Sequence, residues 1–273
     1  MRDGAAQSFH GIFRALQQLD IFDQPASDDL YGDTFADFWN AYFGDDVSDI
    51  PIYQALLASE GAQVLDLACG GGRIGIGLAR EGVRVDGIEL SPAMLALVER
   101  NLAHQAPEVA TRLRFYQGNM CSFALPDRYD LIVLGTTSIS LLPDAAARAA
   151  LFRCVKAHLA PGGRFVFDLL DLGQERWKQL DHYLDVWSRE TDQGQEFAIV
   201  GQRFYPEQHC FTFNVYRETI GWDGATTRTL GSSTKTWIEV DAVAQELPAC
   251  GLRLADRIDR ADLRYFVATA AEE

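Results

Sequence analysis

The sequence has no long apolar run, no paired-cysteine spacing and few basic residues, and each shortage removes a class of function. No segment of the 273 residues approaches the roughly 20 apolar residues that cross a bilayer. The start, Met1-Arg-Asp-Gly-Ala-Ala-Gln, lacks the apolar core of a secretion signal. No membrane partner is expected, and the cytoplasm is the default location. The five cysteines, Cys69, Cys121, Cys154, Cys210 and Cys250, show no C-x-x-C spacing and no accompanying His cluster. Neither zinc, another metal nor a disulfide framework is therefore expected. Only 24 Lys and Arg stand against 39 Asp and Glu, a formal charge of -15, and no basic stripe is present. Holding a phosphate backbone relies on clustered cations that release counterions, so no nucleic-acid partner is expected. An acidic field instead gathers cationic ligands. Internal repeats and low-complexity linkers are missing too.

What the chain does have is concentrated in Val64-Leu-Asp-Leu-Ala-Cys-Gly-Gly-Gly-Arg-Ile-Gly-Ile-Gly-Leu-Ala-Arg80. This reads as a buried strand, a glycine turn and a helix start, with Asp66 at the strand tip. A second acid, Glu89, closes a further strand in Val85-Asp-Gly-Ile-Glu-Leu. The layout is that of a nucleotide-type cofactor site. Gly70-x-Gly72-x-x-Gly75 also spells the dinucleotide fingerprint, and charge separates the two readings. In a dinucleotide site, backbone N–H groups and a helix N-terminus approach an anionic pyrophosphate. A carboxylate four residues before Gly70 repels that group and attracts the ammonium of S-adenosylmethionine (SAM). Gly70 and Gly72 then let the main chain lie against the cofactor without side-chain interference. Glu89 would accept from both ribose hydroxyls, a contact that either cofactor can make.

On these residues the chain resembles the class I SAM-dependent methyltransferases. The family's acid-x-Gly-x-Gly-x-Gly pattern is matched by Asp66, Gly70 and Gly72, with Ala68 in place of its first glycine. Gln117-Gly-Asn-Met-Cys-Ser-Phe123 is similar to the family's adenine-binding segment, with Asn119 where an acid is usual, followed by Met120. Tyr129-Asp-Leu-Ile-Val-Leu134 resembles the fourth strand, and Leu159-Ala-Pro-Gly-Gly-Arg-Phe-Val-Phe-Asp168 the turn into the fifth. The resemblance covers roughly residues 50–170. It implies SAM as cofactor, S-adenosylhomocysteine as its product, and contacts from Leu90 and Leu134 besides the residues above. Tyr31, in Leu30-Tyr-Gly-Asp, resembles the N-terminal aromatic that closes over the cofactor in many small-molecule members. The family's Asn/Asp-Pro-Pro-aromatic signature for exocyclic base amines is missing; Gly135-Thr-Thr-Ser-Ile-Ser140 stands in its place.

Periodicity supplies the architecture. Residues 8–22 and 26–43 carry apolar residues at helical spacing and are expected to form cap helices. Ser48 or Asp49 can cap the next helix, with Pro51 in its first turn. Alternation then predicts strands at 63–68, 84–88, 112–116, 129–134 and 163–169, with helices at 73–81, 92–105 and 144–158. Between Asp171 and Lys235 the period changes to two, in Glu196–Tyr205, in Cys210–Ile220 and in a run after Trp222-Asp-Gly, which predicts an antiparallel meander. Helix 241–250 and strands 252–258 and 264–270 return to the core. The expected fold is α/β: a doubly wound, Rossmann-like seven-stranded sheet with its last strand antiparallel, an N-terminal helical cap and an inserted β meander. The expected domains are a cap at 1–48, a SAM-binding core at 49–170 and 236–273, and a substrate or dimerisation subdomain at 171–235. A homodimer would form through the inserted subdomain.

Methyl transfer from a sulfonium needs alignment and water exclusion more than covalent catalysis. An amine acceptor must be neutral when it attacks, and a phenol needs a base, often His. His182 and Tyr183 follow the fifth strand, where the family often places substrate-facing residues, and His182 is the candidate base against a reading as a solvated helix residue. Thr136, Thr137 and Ser138 can orient an acceptor or simply form a turn. Trp39, Tyr42 and Tyr53 can line an acceptor pocket and steady a cationic nitrogen, or serve as core. Arg203 can hold a substrate carboxylate, as can Arg217, or lie on a solvated strand. His158 and His104 end helices, where the dipole favours them, His209 lies at a surface turn, and His10 falls in the cap. The expected function is methylation of a small molecule or peptide in secondary metabolism, at an amine because the chain is acidic and lacks a clear His base. O-methylation, and transfer or cyclisation of the aminobutyrate chain of SAM, are the alternatives. Asp66 and the reversed last strand oppose a nicotinamide oxidoreductase. A finer resemblance, to methyltransferases of peptide natural-product pathways, rests on Tyr31-Gly-Asp-x-x-Ala-Asp-Phe38 and Leu134-Gly-Thr-Thr-Ser-Ile-Ser-Leu-Leu142.

Overall fold

Strand β1 (Gln63–Leu67) is apolar on both faces apart from Asp66, because Val64, Leu65 and Leu67 are all fully buried at the centre of a covered sheet. The structure is a computed structural model that describes residues 8–44, 46–57, 61–171 and 183–271. Along the chain β2 (Arg84–Glu89), β3 (Leu113–Gln117), β4 (Tyr129–Leu134) and β5 (Leu159–Leu170) follow β1. The insertion carries β6 (Tyr183–Thr191), β7 (Gly194–Tyr205), β8 (Cys210–Gly221) and β9 (Thr226–Thr236), and the chain ends with β10 (Leu252–Arg260) and β11 (Leu263–Ala270). The helices are α1 (Gly11–Leu16), α2 (Ala36–Phe43), α3 (Ile50–Ala55), α4 (Arg73–Arg80), α5 (Pro92–Leu102), α6 (Pro107–Ala110), α7 (Ala145–His158) and α8 (Val240–Glu246).

Two compact units share these elements, one made of Tyr31–Asp171 with Ile238–Glu273, the other of Met1–Leu30 with Leu172–Trp237. The first holds a seven-stranded sheet in the order β10-β11-β5-β4-β1-β2-β3. Its strands run parallel except β11, which is antiparallel to β5 and β10. This is the expected doubly wound sheet with its reversed last strand. On one face Leu151, Phe152 and Val155 of α7, with Val243 and Leu247, pack on Leu65, Ile132 and Phe167. On the other, Ile52 and Tyr53 of α3 and Ile74 and Leu78 of α4 pack on Val64, Val133 and Val166. Ligands of such sheets lie at the carboxyl ends of the strands. A cavity of about 420 Å³ opens at the opposite, amino ends, lined by Arg84, Arg112, Arg114 and Asp86. Asp86 is already satisfied there by Arg114 at 2.8 Å and by the Tyr129 hydroxyl at 2.8 Å.

The second unit holds a four-stranded antiparallel sheet, β6-β7-β8-β9, which is the expected meander with one strand more than expected. Strand β6 escapes sequence reading because the apolar residues of one face, Leu184 and Val186, are exposed, so the alternation has no buried apolar face to advertise it. One face of the sheet is covered by Phe9 and Phe13, packed against Tyr216 and Leu230.

The expected 1–48 cap is divided between the units, and its helices are shorter than the periodicity suggests. Residues 8–22 give only α1, and residues 26–43 only α2. The Ser27 hydroxyl accepts from the Asp29 N–H, and Ser27 bridges to Gly231 of β9, so local side-chain bonds and strand contacts displace a helix there. Asp49 stands at the start of α3 as expected but makes no capping bond with its side chain.

Candidate active site

The glycine turn joins β1 to α4 with Ala68, Gly70 and Gly72 all at positive φ, 51°, 55° and 83°. Asn101 of α5 braces it, its side-chain amide donating to the Gly71 carbonyl at 2.8 Å and to Asn40 of α2 at 3.0 Å. No atom lies within 4 Å of where a Cβ on Gly70 would project, so the turn offers an open cradle. Beside it, Glu89 at the end of β2 accepts from the Gly70 N–H at 2.9 Å through Oε2, and from the Ser91 N–H at 2.9 Å through Oε1. A carboxylate has about four lone-pair sites, so about two remain for incoming hydroxyls. The Ser91 hydroxyl donates in turn to the Tyr31 carbonyl at 2.7 Å, and the Tyr31 ring stacks on Trp39 at 5.8 Å. Tyr31 is thereby tied to the turn that carries Glu89.

Asp66 is 1% exposed, and neither of its oxygens has a hydrogen-bond partner in ordinary geometry. Burial pushes its carboxyl up to about 7, opposed by the charge of Arg73. Asp168, near the carboxyl end of β5, is equally buried. Its Oδ2 accepts from the Thr137 N–H at 2.9 Å, and its Oδ1 has no partner. Burial raises this carboxyl to about 7 as well. Arg73, the first residue of α4, is held by Asp49 in a two-pronged pair, both contacts at 2.6 Å, and reaches the Thr136 hydroxyl at 3.1 Å and the Asp46 carbonyl. The Tyr53 hydroxyl lies 3.4 Å from Asp49, and a Cβ on Gly135 would come within 2.7 Å of it. Tyr53 packs edge-on against Tyr265, the cross-strand neighbour of Asp168. Burial and the nearby carboxylates hold both phenols above their ordinary range, hence neutral. Three carboxyls, Asp49, Asp66 and Asp168, thus face one guanidinium. The cluster lacks positive charge.

Sequence reading placed Asp66, Ala68, Gly70, Gly72, Glu89 and Tyr31 around this end of the sheet, and the structure brings them together. It also places Thr136 and Thr137 there, both left-handed, at 57° and 55°, and Ser138 at the start of the turn that follows. Leu90 stands 63% exposed next to Glu89, and Met120 is partly buried against the core. Trp39 and Tyr42 lie on α2 and both contact Phe38.

Other expectations are corrected. Leu134 is fully buried in the core, packed with the α7 face. The Asn119 side-chain oxygen already accepts from the Cys121 N–H at 2.8 Å, so one acceptor site is spent. The His158 ring accepts from the Leu125 N–H at 3.1 Å and its other nitrogen meets the Cys154 carbonyl at 2.8 Å, so it clamps the end of α7 to the segment at Leu125. His209 does lie exposed at the β7–β8 turn, stacked on Trp237. Arg203, on β7, lies over the Tyr205 ring at 5.5 Å. Arg217 pairs at 2.6 Å with the buried Glu196. Tyr183 begins β6, and His182 falls outside the described residues. Asp168, Arg73, Asp49 and Asn101 were missed. Asp168 had the same signal as Asp66, a lone acid near the end of an apolar strand, but no glycine turn beside it.

Comparison with known proteins agrees with this fold. Residues 64–163 match a family described as a methyltransferase domain. The ubiquinone biosynthesis O-methyltransferase of Alkalilimnicola ehrlichii is 30% identical over 52% of this chain and 64% of its own length. The chain spans less than two thirds of the curated relatives it first matches. Among solved structures, the sugar N-methyltransferase KedS8 from a Streptoalloteichus species superposes with a TM-score of 0.76 at 20% identity, covering 93% of this chain and 100% of that one. The CcbJ methyltransferase of Streptomyces caelestis gives 0.68 at 20% identity, covering 90% and 100%. At such identities the likeness shows the fold.

Proposed function

We propose, from the premise that residues 64–163 are a methyltransferase domain set in the class I SAM-dependent fold, that the whole chain methylates the nitrogen of a small-molecule or peptide amine in secondary metabolism. The observation that carries the reading is the cluster of Asp49, Asp66 and Asp168 around a single Arg73, two of its carboxyls retaining oxygens without partners. Buried carboxylates without partners are costly, so the cluster favours ligands that bring positive charge.

The residues fit SAM on three counts. Asp66 has two orphaned oxygens for an ammonium, Gly70 leaves a cradle for the amino-acid and ribose portion, and Glu89 keeps lone pairs for the ribose hydroxyls. When bound, the cofactor supplies a methyl group on a positively charged sulfur. Ala68 and Gly72 keep the backbone accessible, Leu90, Asn119 and Met120 flank the adenine, and Tyr31 covers the site. Trp39, Tyr42, Thr136, Thr137 and Ser138 orient the acceptor and exclude water. Tyr183, Arg203 and His182 belong to the inserted subdomain, which we assign to acceptor recognition. Its edge strand β6, with Leu184 and Val186 exposed, is the proposed dimer contact. Among the described residues no helix is long and apolar enough to cross a membrane.

The test has two readouts. SAM and S-adenosylhomocysteine should raise the unfolding midpoint, and Asp66→Ala and Glu89→Ala should each abolish that rise. Stabilisation by NAD alone would overturn the cofactor. With amine acceptors, mass spectrometry should find S-adenosylhomocysteine as the cofactor product; methylthioadenosine would establish aminobutyrate chemistry instead, and methylation confined to hydroxyl acceptors would establish an O-methyltransferase.

A further inference from the structure

We infer that Asp168 forms a docking subsite for an alkylammonium group, so that the acceptor is a primary or secondary aliphatic amine that enters protonated and gives up a proton to Oδ1. This rests on the methyltransferase reading above and narrows its substrate class.

Position comes first. Asp66 is level with Val133 of β4, and Val133 with Val166 of β5, so Asp168 lies on the same face of the sheet, two residues nearer its carboxyl edge. It also lies directly under the loop after β4, since its Oδ2 accepts from the Thr137 N–H. Thr136 and Thr137 hold left-handed backbone conformations that strain a β-branched residue, and the bond to Asp168 helps to fix that of Thr137.

The neighbours then define what Oδ1 can receive. Asp46 and Asp49 before α3, Tyr53 on α3, Arg73 on α4, Asp66 on β1, Glu89 on β2 and Tyr265 on β11 are the charged and titratable groups facing this cluster. Arg73 is committed to Asp49, Thr136 and Asp46. The Tyr53 hydroxyl is directed to Asp49. No cation of the described chain is hydrogen-bonded to Asp168, the charge of Arg73 that reaches it is shared with Asp49 and Asp66, and its Oδ1 remains without a partner at 1% exposure of the residue. A neutral hydroxyl would satisfy the oxygen and leave the charge unbalanced; an ammonium does both.

The proton has a balanced route. An N–H bond of the ammonium breaks with its electron pair staying on nitrogen as the nucleophilic lone pair, and an O–H bond forms at Oδ1. Burial, which raises this carboxyl to about 7 in the ligand-free protein, favours its protonated form once the nitrogen has become neutral.

Sinefungin tests this without any acceptor. It carries an amine where SAM carries the methyl, and shares its amino-acid, ribose and adenine portions with S-adenosylhomocysteine, so the ratio of the two affinities cancels everything but the amine. In Asp168→Asn the carboxamide oxygen can still accept from Thr137 while an NH2 group replaces Oδ1. Calorimetry at about pH 8 should give S-adenosylhomocysteine affinity within about twofold of wild type and sinefungin affinity at least about tenfold weaker. An unchanged ratio overturns the subsite. Should the variant fail to fold, the wild-type ratio measured from about pH 5.5 to 8.5 must move in favour of sinefungin as Asp168 ionises, and a flat ratio overturns it. Failure of S-adenosylhomocysteine to bind wild type would instead remove the cofactor reading, and the subsite with it.

Discussion

Gly70 shows how much of the site depends on a missing atom. Its φ of 55° is open to glycine at no steric cost, and the space beside it is empty. Gly70→Ala should therefore cost only about 1 kcal/mol of stability, from the strained backbone. Affinity for S-adenosylhomocysteine should fall far more, by over about tenfold, because the new methyl enters the cradle. Equal affinity in a calorimetric titration would remove Gly70 from the site. At this scale the sequence was uneven. Asp66 was legible because a glycine turn follows within four residues and its carboxylate contradicts a pyrophosphate. Asp168 was illegible because its surroundings arrive from afar: Thr137 lies on the loop after β4, and Tyr265 on a strand that pairs only after the insertion.

Between elements, the Arg73–Asp49 pair is the main tie at the active end of the sheet. It joins the first turn of α3 to the first turn of α4 and, through Thr136, to the loop after β4. Its side chains are 14% and 10% exposed, so little solvent screens it. Arg73→Met would leave Asp49, Asp66 and Asp168 without a counter-charge and should destabilise by about 3 kcal/mol. Asp49→Asn, which keeps an acceptor and lowers the negative charge, should cost less; a denaturant titration giving the reverse order would refute this account. The same comparison explains what periodicity reads well. Helix α4 and strands β1, β2 and β4 bury regular faces, and their bounds fall close to expectation. Strand β6 shows its apolar Leu184 and Val186 to solvent, and after α1 the chain closes a turn at residues 17–19 and then bonds to β9 through Asp23 and Ser27, so neither follows the burial pattern that periodicity detects. Strand β5 starts earlier than expected, at Leu159, because Leu159 pairs with Tyr129 before a register shift.

For the molecule as a whole, the buried acids set an unusual sign of pH dependence. Asp66 and Asp168 have folded values near 7, above the ordinary 3.8, so the folded state binds more protons than the unfolded one between about pH 4 and 7. Their contribution is complete below that window and lost as the pH rises through it, at most roughly 4 kcal/mol for each carboxyl. The ligand-free protein should melt at a higher temperature near pH 5 than near pH 8, and the difference should shrink in the Asp66→Asn, Asp168→Asn double variant. Saturating SAM should shrink it as well, because the cation favours the ionised carboxyls. A midpoint that rises steadily from pH 5 to 8 would contradict the assignment. The carboxylate of Glu89 carries a different consequence. Through Gly70 on one side, and through Ser91 to Tyr31 on the other, it couples the cofactor turn to the segment that begins at Tyr31. Thermodynamic reciprocity then applies: whatever factor the seated Tyr31 adds to cofactor affinity, the bound cofactor adds to the seating of Tyr31. On the proposed function, Tyr31→Ala should therefore weaken S-adenosylhomocysteine binding without altering the turn at Gly70, a change that calorimetry would read.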